Sequence, residues 1–332
     1  MTTNTEFKVK LVAIAKDEAA YLPEWIFHHL HFGFDAIDIY VNNTIDNTSQ
    51  LDEALSELDS VRFLNGDVFF DGSFGRPQAA AYIDAYEKAL SDGYSHILFL
   101  DIDEFWTPRD FNSNIKVCIK TIDADVISFE WLVHMDEYSP FSETFKSNIV
   151  CKKGRFVKSM SKTDLNLRFL HCHNVNVKDA IYKLADASLF KFKIGENSAV
   201  NPSELTKPIK PYFILHRMFR SQVEYVSMLG KGIVKNSHEK VPKFKNNRNG
   251  YYVASDSDSV FSIDEIDLLN YQNLKFEFFV KYNINSIVNE ARKFVIQRFE
   301  SILNLFKACK PEDVEIVNKI SRNIRLRDFT NR

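Results

Sequence analysis

The chain has 332 residues, with 42 Lys+Arg against 45 Asp+Glu, and 45% of its residues are hydrophobic. That length makes one large domain or two modest ones, with apolar residues enough for a sizeable core. Charged residues at 26% and aromatics at 14% exclude a disordered or fibrous chain.

In chain order, Phe7 to Ala15 reads as a buried strand, and Leu22, Ile26 and Leu30 recur at helical spacing up to Gly33. Ala36 to Val41 is a second strand, followed by the turn-rich stretch Asn42 to Asn47. Leu51, Leu55 and Leu58 mark a helix, and Val61 to Leu64 a short strand. Arg76 to Leu90 is helical, with Ala79, Ile83, Tyr86 and Leu90 predicted on its core face, and His96 to Leu100 is a fourth strand. Repeated βα units imply a mainly parallel sheet with helices on both faces.

From Asp125 the pattern loosens. Val126 to Leu132 and Arg155 to Ser159 are expected strands, Ser221 to Lys235 a helix, and Pro242 to Asp258 a mobile loop. From Phe261 onward the chain is expected to be helical. Two regions follow: an α/β domain over 1–235, and a loop with a helical extension over 236–332.

Charge divides the chain unevenly. Residues 1–150 carry 10 Lys+Arg against 26 Asp+Glu, and residues 151–332 carry 32 against 19. An acidic half suits a divalent cation, and a basic half suits a phosphorylated ligand or an anionic surface.

The strongest local signal is HILFLDIDEFW, residues 96–106, an apolar strand running into Asp101, Asp103 and Glu104. In an extended chain Asp101 and Asp103 project to the same side. Ligands of open α/β sheets bind beyond the carboxyl ends of the strands, which is where this pair falls. Two carboxylates there repel one another unless a hard cation such as Mg²⁺ or Mn²⁺ lies between them. Lys16, Asp17 and Glu18 after the first strand, and Asn42, Asn43 and Asp46 after the second, reach the same edge. His171, Cys172 and His173 do not make a zinc site, because on a strand the cysteine points away from the two histidines. His28, His29 and His31 are expected on a half-buried amphipathic helix.

Taken together, AIAKDEAAYLPEWIFHHLHFGFDAIDIYVNNTIDNT, Gln78 in PQAAAYIDAYEKAL, HILFLDIDEFW, Trp131-Leu132, Lys158-Ser159 and HRMFRSQVEYVSMLGKG (216–232) resemble glycosyltransferase family 2-like proteins related to family 92. The resemblance covers about residues 8 to 235. It implies a GT-A fold and transfer of a sugar from a nucleotide-diphospho-sugar, a UDP-sugar above all, to a hydroxyl of a surface glycan or lipid-linked saccharide. By the same resemblance Ala13, Lys16, Asp17, Glu18, Asn42, Asn43, Asp46, Gln78, Asp101, Lys158 and His173 contact the donor. Asp101, Asp103 and His216 would hold Mn²⁺ or Mg²⁺. The chain departs from the pattern at Val41, where relatives carry Asp, and at Val133 to Glu137, where they carry a Phe-Gly stretch.

Inversion at the anomeric carbon needs a base on the sugar face opposite the diphosphate. Asp136 and Glu137, past the strand Val126 to Leu132, are the carboxylates expected in that role. Alternatives are a non-catalytic carbohydrate-binding or scaffold protein on a decayed transferase fold, and a phosphohydrolase of the haloacid dehalogenase type. No nucleic-acid module accompanies the basic residues, so nucleic acid is not an expected partner. Four cysteines without a CxxC pair, no signal-peptide pattern and no apolar run of about 18 residues predict a cytoplasmic protein. Its Phe- and Lys-rich stretch from about Leu274 to Ala308 is expected to pack against the core, with peripheral contact at the inner membrane face as the alternative.

Overall fold

The computed structural model describes residues 7–135, 137–190, 198–232, 244–245, 247–255 and 258–325. Its first part runs β1 (Val9–Ala15), α1 (Leu22–His31), β2 (Ala36–Val41), α2 (Thr48–Ala54), β3 (Val61–Asn65), α3 (Asp67–Phe70), α4 (Pro77–Ser91) and β4 (His96–Phe99). There follow β5 (Glu104–Pro108), α5 (Ile115–Ile122), β6 (Val126–His134), β7 (Asn148–Lys162), β8 (Leu167–Leu170), β9 (Val175–Val177), β10 (Tyr182–Leu184), β11 (Tyr212–His216) and α6 (Gln222–Leu229). The chain closes with β12 (Ser259–Ser262), α7 (Glu265–Lys281), α8 (Ile284–Lys307) and α9 (Val314–Ile320).

The main sheet has the order β3-β2-β1-β4-β7-β6-β11-β5, with β10 beside β6 and β12 beside β7. Strands β1 to β4 are mutually parallel, β11 is parallel to β6, and β7 and β5 run against their neighbours. This is the expected mixed α/β architecture with a mostly parallel central sheet flanked by helices. The chain leaves β1 for β2 on one side, and β4 lies on the other. The carboxyl ends of β1 and β4 therefore flank a topological switch point, where open α/β sheets bind ligands.

Alternation along β1 sorts the two faces. Leu11 and Ala13 enter the core beneath α1, while Val12 packs with Tyr82, Ala85 and Phe99 under α4. Helix α4 buries Ala81, Tyr82, Ala85, Tyr86 and Ala89, so its core face is rotated from the one predicted, and Ile83 and Leu90 are exposed. Small alanines let the helix approach the sheet closely, with the Tyr82 ring stacked 4.3 Å from Phe99.

Three further expectations are corrected. Phe261 lies in strand β12, paired antiparallel with the start of β7, and the helices begin only at Glu265. Of the loop expected from Pro242, Phe244 and Tyr251 are buried in a core with α6, α8 and α9. His28 and His29 are wholly buried rather than half-buried. The His28 Nε2 meets the Trp106 carbonyl at 2.8 Å, Trp25 Nε1 donates to the Glu104 carbonyl at 2.8 Å, and the Trp106 N–H donates to His29 Nε2 at 3.2 Å. Helix α1 is thus stapled to β5, the strand that follows the Asp101–Glu104 turn. Burial pushes the His29 imidazole down to about 3 and His28 well below its usual value, so both staples are neutral.

The C-terminal helices share this core, since Tyr271, Ile284, Val288, Ala291 and Val295 pack into the cluster built on β1 and α1. Among the described residues no helix is long and apolar enough to cross a membrane.

Candidate functional site at the switch point

Strand β4 ends at Phe99, and residues 101–104 form a turn rather than an extended run. The Glu104 N–H donates to the Asp101 carbonyl at 3.0 Å, and the Asp101 N–H donates back to Glu104 Oε2 at 2.9 Å. Lys158 of β7, buried to 1% exposure, reaches Asp101 Oδ2 at 3.0 Å and Glu104 Oε2 at 2.9 Å. Burial pushes the Glu104 carboxyl up to about 7 against the pull of Lys158.

The antiparallel pairing of β5 with β11 sets His216 opposite Glu104. It thereby brings His216 Nε2 to 3.6 Å from Asp103 Oδ2, and the Arg217 N–H donates to the Asp103 carbonyl at 2.7 Å. Burial alone would raise the Asp103 carboxyl, but His216, Arg220 and Arg248 hold it well below the usual carboxylate range.

A cavity of about 440 Å³ opens over this turn. It receives Lys16 and Glu18 from the end of β1, Asn42 from β2, Gln78 from α4, Asp101 and Asp103 from the turn, and His173 and His216. These eight expected residues do converge. The opposite wall comes from the second half of the chain. Arg217, Arg220, Lys231, Lys245 and Arg248 line it; Arg217 is paired with Glu137 outside the cavity, so with Lys16 five cations face the four carboxylates Glu18, Asp101, Asp103 and Glu224.

Glu18 is paired with Lys231 and, at 3.5 Å, with Arg220. Arg220 holds a left-handed backbone (φ 50°) that an L side chain adopts at a cost of about 1 kcal/mol or more, and its guanidinium lies 3.5 Å over the Tyr21 ring. Burial, reinforced by Arg248, pulls the Lys245 ammonium down to about 8. The cavity is short of negative charge. Trp131 adds an aromatic wall, its ring 4.3 Å from His216 and 5.3 Å from His173.

Other expected residues lie elsewhere. Ala13 is wholly buried on the α1 face, and it is its neighbour Ile14 that reaches the cavity, as strand alternation requires. Asp17 is turned away, accepting from the Ile45 N–H at 2.9 Å and from Arg298 of α8 at 2.8 Å. Asn43 accepts a left-handed backbone (φ 45°) and donates its N–H to Asp67, while Asp46 accepts from the Ala19 and Thr48 N–H groups. Both shape the rim rather than the cavity. Lys158 lies beneath Asp101 and positions it.

Glu137 does not fit the role of base. It is 2% exposed, outside the cavity, and clamped by the Arg217 guanidinium, whose Nε lies 2.9 Å from its Oε1. Asp136 lies outside the described residues. Sequence reasoning missed Lys245, Arg248 and Glu224. The HRMFRSQVEY segment, already singled out for Arg220, offered a signal for Glu224, but the residues around 245 read only as a polar loop.

No family model and no curated protein matches the chain. Among solved structures it is similar to TarS of S. aureus, at 15% identity over 47% of this chain and 28% of that one, with a TM-score of 0.29. It is also similar to TarS 1-349 in complex with UDP, at 13% identity over 93% and 77% of the two chains (TM-score 0.30). HddC from Yersinia pseudotuberculosis matches at 13% identity over 54% and 89% (TM-score 0.32). The chain spans under a third of the TarS chain. At TM-scores near 0.3 these are partial backbone likenesses that say nothing about what this chain binds. The resemblance to family 92 rests on the sequence motifs, and no match shows it.

Proposed function

We propose that the protein is a glycosyltransferase that moves a sugar from a nucleotide-diphospho-sugar, with a UDP-sugar as the first donor to test, onto an acceptor hydroxyl. One observation carries the reading: the Asp101–Asp103 turn stands at the sheet's switch point and faces a wall of cations across one cavity. A leaving nucleoside diphosphate brings the negative charge that this wall lacks. Arg220, Lys231, Lys245 and Arg248 would bind it, and Lys16 and Asn42 would meet the nucleoside at the ends of β1 and β2.

Among the described residues no group of three His, Cys, Asp or Glu side chains is placed to hold a metal by itself. Two carboxylates completed by water and phosphate oxygens are nonetheless an ordinary Mg²⁺ or Mn²⁺ donor set. Asp101, 47% exposed, and Asp103, with the His216 imidazole beside it, fit that set. When bound, the cation would offset charge on the departing diphosphate.

Inversion would need a base, and Glu224 replaces Glu137 in that assignment. Its Oε2 accepts from the Ser221 hydroxyl and from the Ser221 and Phe141 N–H groups, while Oε1 has no hydrogen-bond partner. A surface glycan or lipid-linked saccharide as acceptor, and work at the cytoplasmic face of the inner membrane, belong to the same proposal.

The test is calorimetric titration of UDP with and without Mn²⁺. Wild type should bind UDP more tightly with the metal, and Asp103→Ala should lose that increment while melting normally. Metal-independent UDP affinity in both proteins would remove the cation site, and no UDP binding at all would remove the donor assignment.

A further inference from the structure

A second cavity, of about 480 Å³, lies between α7, α8 and the segment after β6. Helix α7 contributes Gln272, Lys275, Phe276 and Phe279, and α8 contributes Asn285, Val288, Asn289 and Arg292. Each set has the spacing i, i+3, i+4, i+7, which is one helix face. Two consecutive helices, joined through Tyr282 and Asn283, therefore give matching stripes to a single groove.

Charge separates this groove from the switch-point cavity. Its charged lining is Glu24, Glu143, Lys275 and Arg292, two of each sign, and Lys275 already bonds both carboxylates. A phosphate would find no surplus cation here. What the groove offers is planar amides, from Gln272, Asn285 and Asn289, each with a donor and an acceptor. Beside them stand three phenylalanine rings, Phe141, Phe276 and Phe279.

Phe276 is 66% exposed, which water does not favour, and the Arg292 guanidinium sits 5.3 Å from the Phe141 ring with its buried Nε unpartnered. A sugar ring matches both halves of this lining. Its C–H face covers an aromatic ring, and its hydroxyls both donate and accept.

Residues lining the two cavities touch one another across the wall between them. Arg217 on the switch-point side lies 3.9 Å from Glu24 in the groove, and the Phe141 N–H in the groove donates to Glu224 on the other side.

We propose that the α7–α8 groove is a saccharide-binding subsite that takes an uncharged sugar of the acceptor chain, away from the bond being made. Saccharide binding stands by itself; only the word acceptor rests on the transferase reading.

An array of immobilised neutral and anionic oligosaccharides, probed without metal or nucleotide, tests it with wild type, Phe276→Ala and Asn289→Ala. Phe276 and Asn289 are exposed, so both variants should melt as wild type does, and a melting curve of each checks this. Wild type should retain neutral glycans, each variant should bind them about tenfold more weakly, and UDP affinity should be unchanged in both. Retention of no glycan, retention of anionic glycans only, or retention by both variants equal to that of wild type would overturn the subsite. Absence of UDP binding in wild type would overturn the transferase reading instead and leave the subsite standing.

Discussion

Replacing Lys158 by Met removes the buried ammonium that bridges Asp101 and Glu104 in the turn. The ammonium is 1% exposed and lies 2.9 Å from Glu104, whose side chain is wholly buried, and 3.0 Å from the half-exposed Asp101. Breaking a buried pair from one side costs about 3–5 kcal/mol, because the remaining charge is left uncompensated. Most of that cost should fall on Glu104, since Asp101 can turn to water. At about 2 °C per kcal/mol for a chain of this size, the melting temperature should drop by about 6–10 °C.

Removing both charges tests the cause. In Lys158→Met/Glu104→Gln no buried charge remains, and the Gln carbonyl still accepts from the Asp101 N–H. That variant should recover at least about half of the loss, a coupling within the usual range for contacting residues. Differential scanning fluorimetry at about pH 8.5, above the value of about 7 to which burial pushes the Glu104 carboxyl, reads both values. A Lys158→Met protein melting within about 1 °C of wild type, or a double variant no better than the single one, would refute this account of the turn.

Other outcomes follow from the same geometry. Glu224→Gln keeps the oxygen that caps α6, so stability and UDP affinity should hold while turnover falls by about 10²–10⁴, the usual worth of a general base; unchanged turnover would strike Glu224 from the mechanism. Glu137→Gln should instead lower the melting temperature by weakening the Arg217 clamp, and a selective loss of turnover at normal stability would contradict its structural role. Because Lys245 titrates near 8 and is cationic only below that value, UDP affinity should fall as pH rises from 7 to 9. Lys245→Arg, which stays charged, should flatten that profile, and a parallel fall in the variant would assign the titration to another group. Product NMR should show an inverted anomeric centre if a sugar is transferred, and retention would end the single-displacement scheme.

Much of the first hundred residues was legible because the signals there are local. A buried β run of apolar residues, a helical repeat and a turn-rich break each need only their own neighbours, so the βα order and the carboxylates that follow β4 could be read directly, although the turn they form was not. The same reasoning erred where a side chain's fate depends on a distant partner. Asp17 looks like a ligand contact until Arg298, 281 residues away, takes its carboxylate, and Glu137 looks like a base until Arg217, 80 residues away, clamps it.

Charge follows the same rule at larger scale. The acidic and basic halves were plain in the composition. Only the pairing of β11 with β5 and β6 brings His216, and with it Arg217 and Arg220, across the sheet to face Asp101 and Asp103. Periodicity specifies which face of an element is apolar; it does not specify which other element will lie opposite. That choice belongs to long-range strand pairing and core packing, and it is what decided which carboxylates are sites and which are struts.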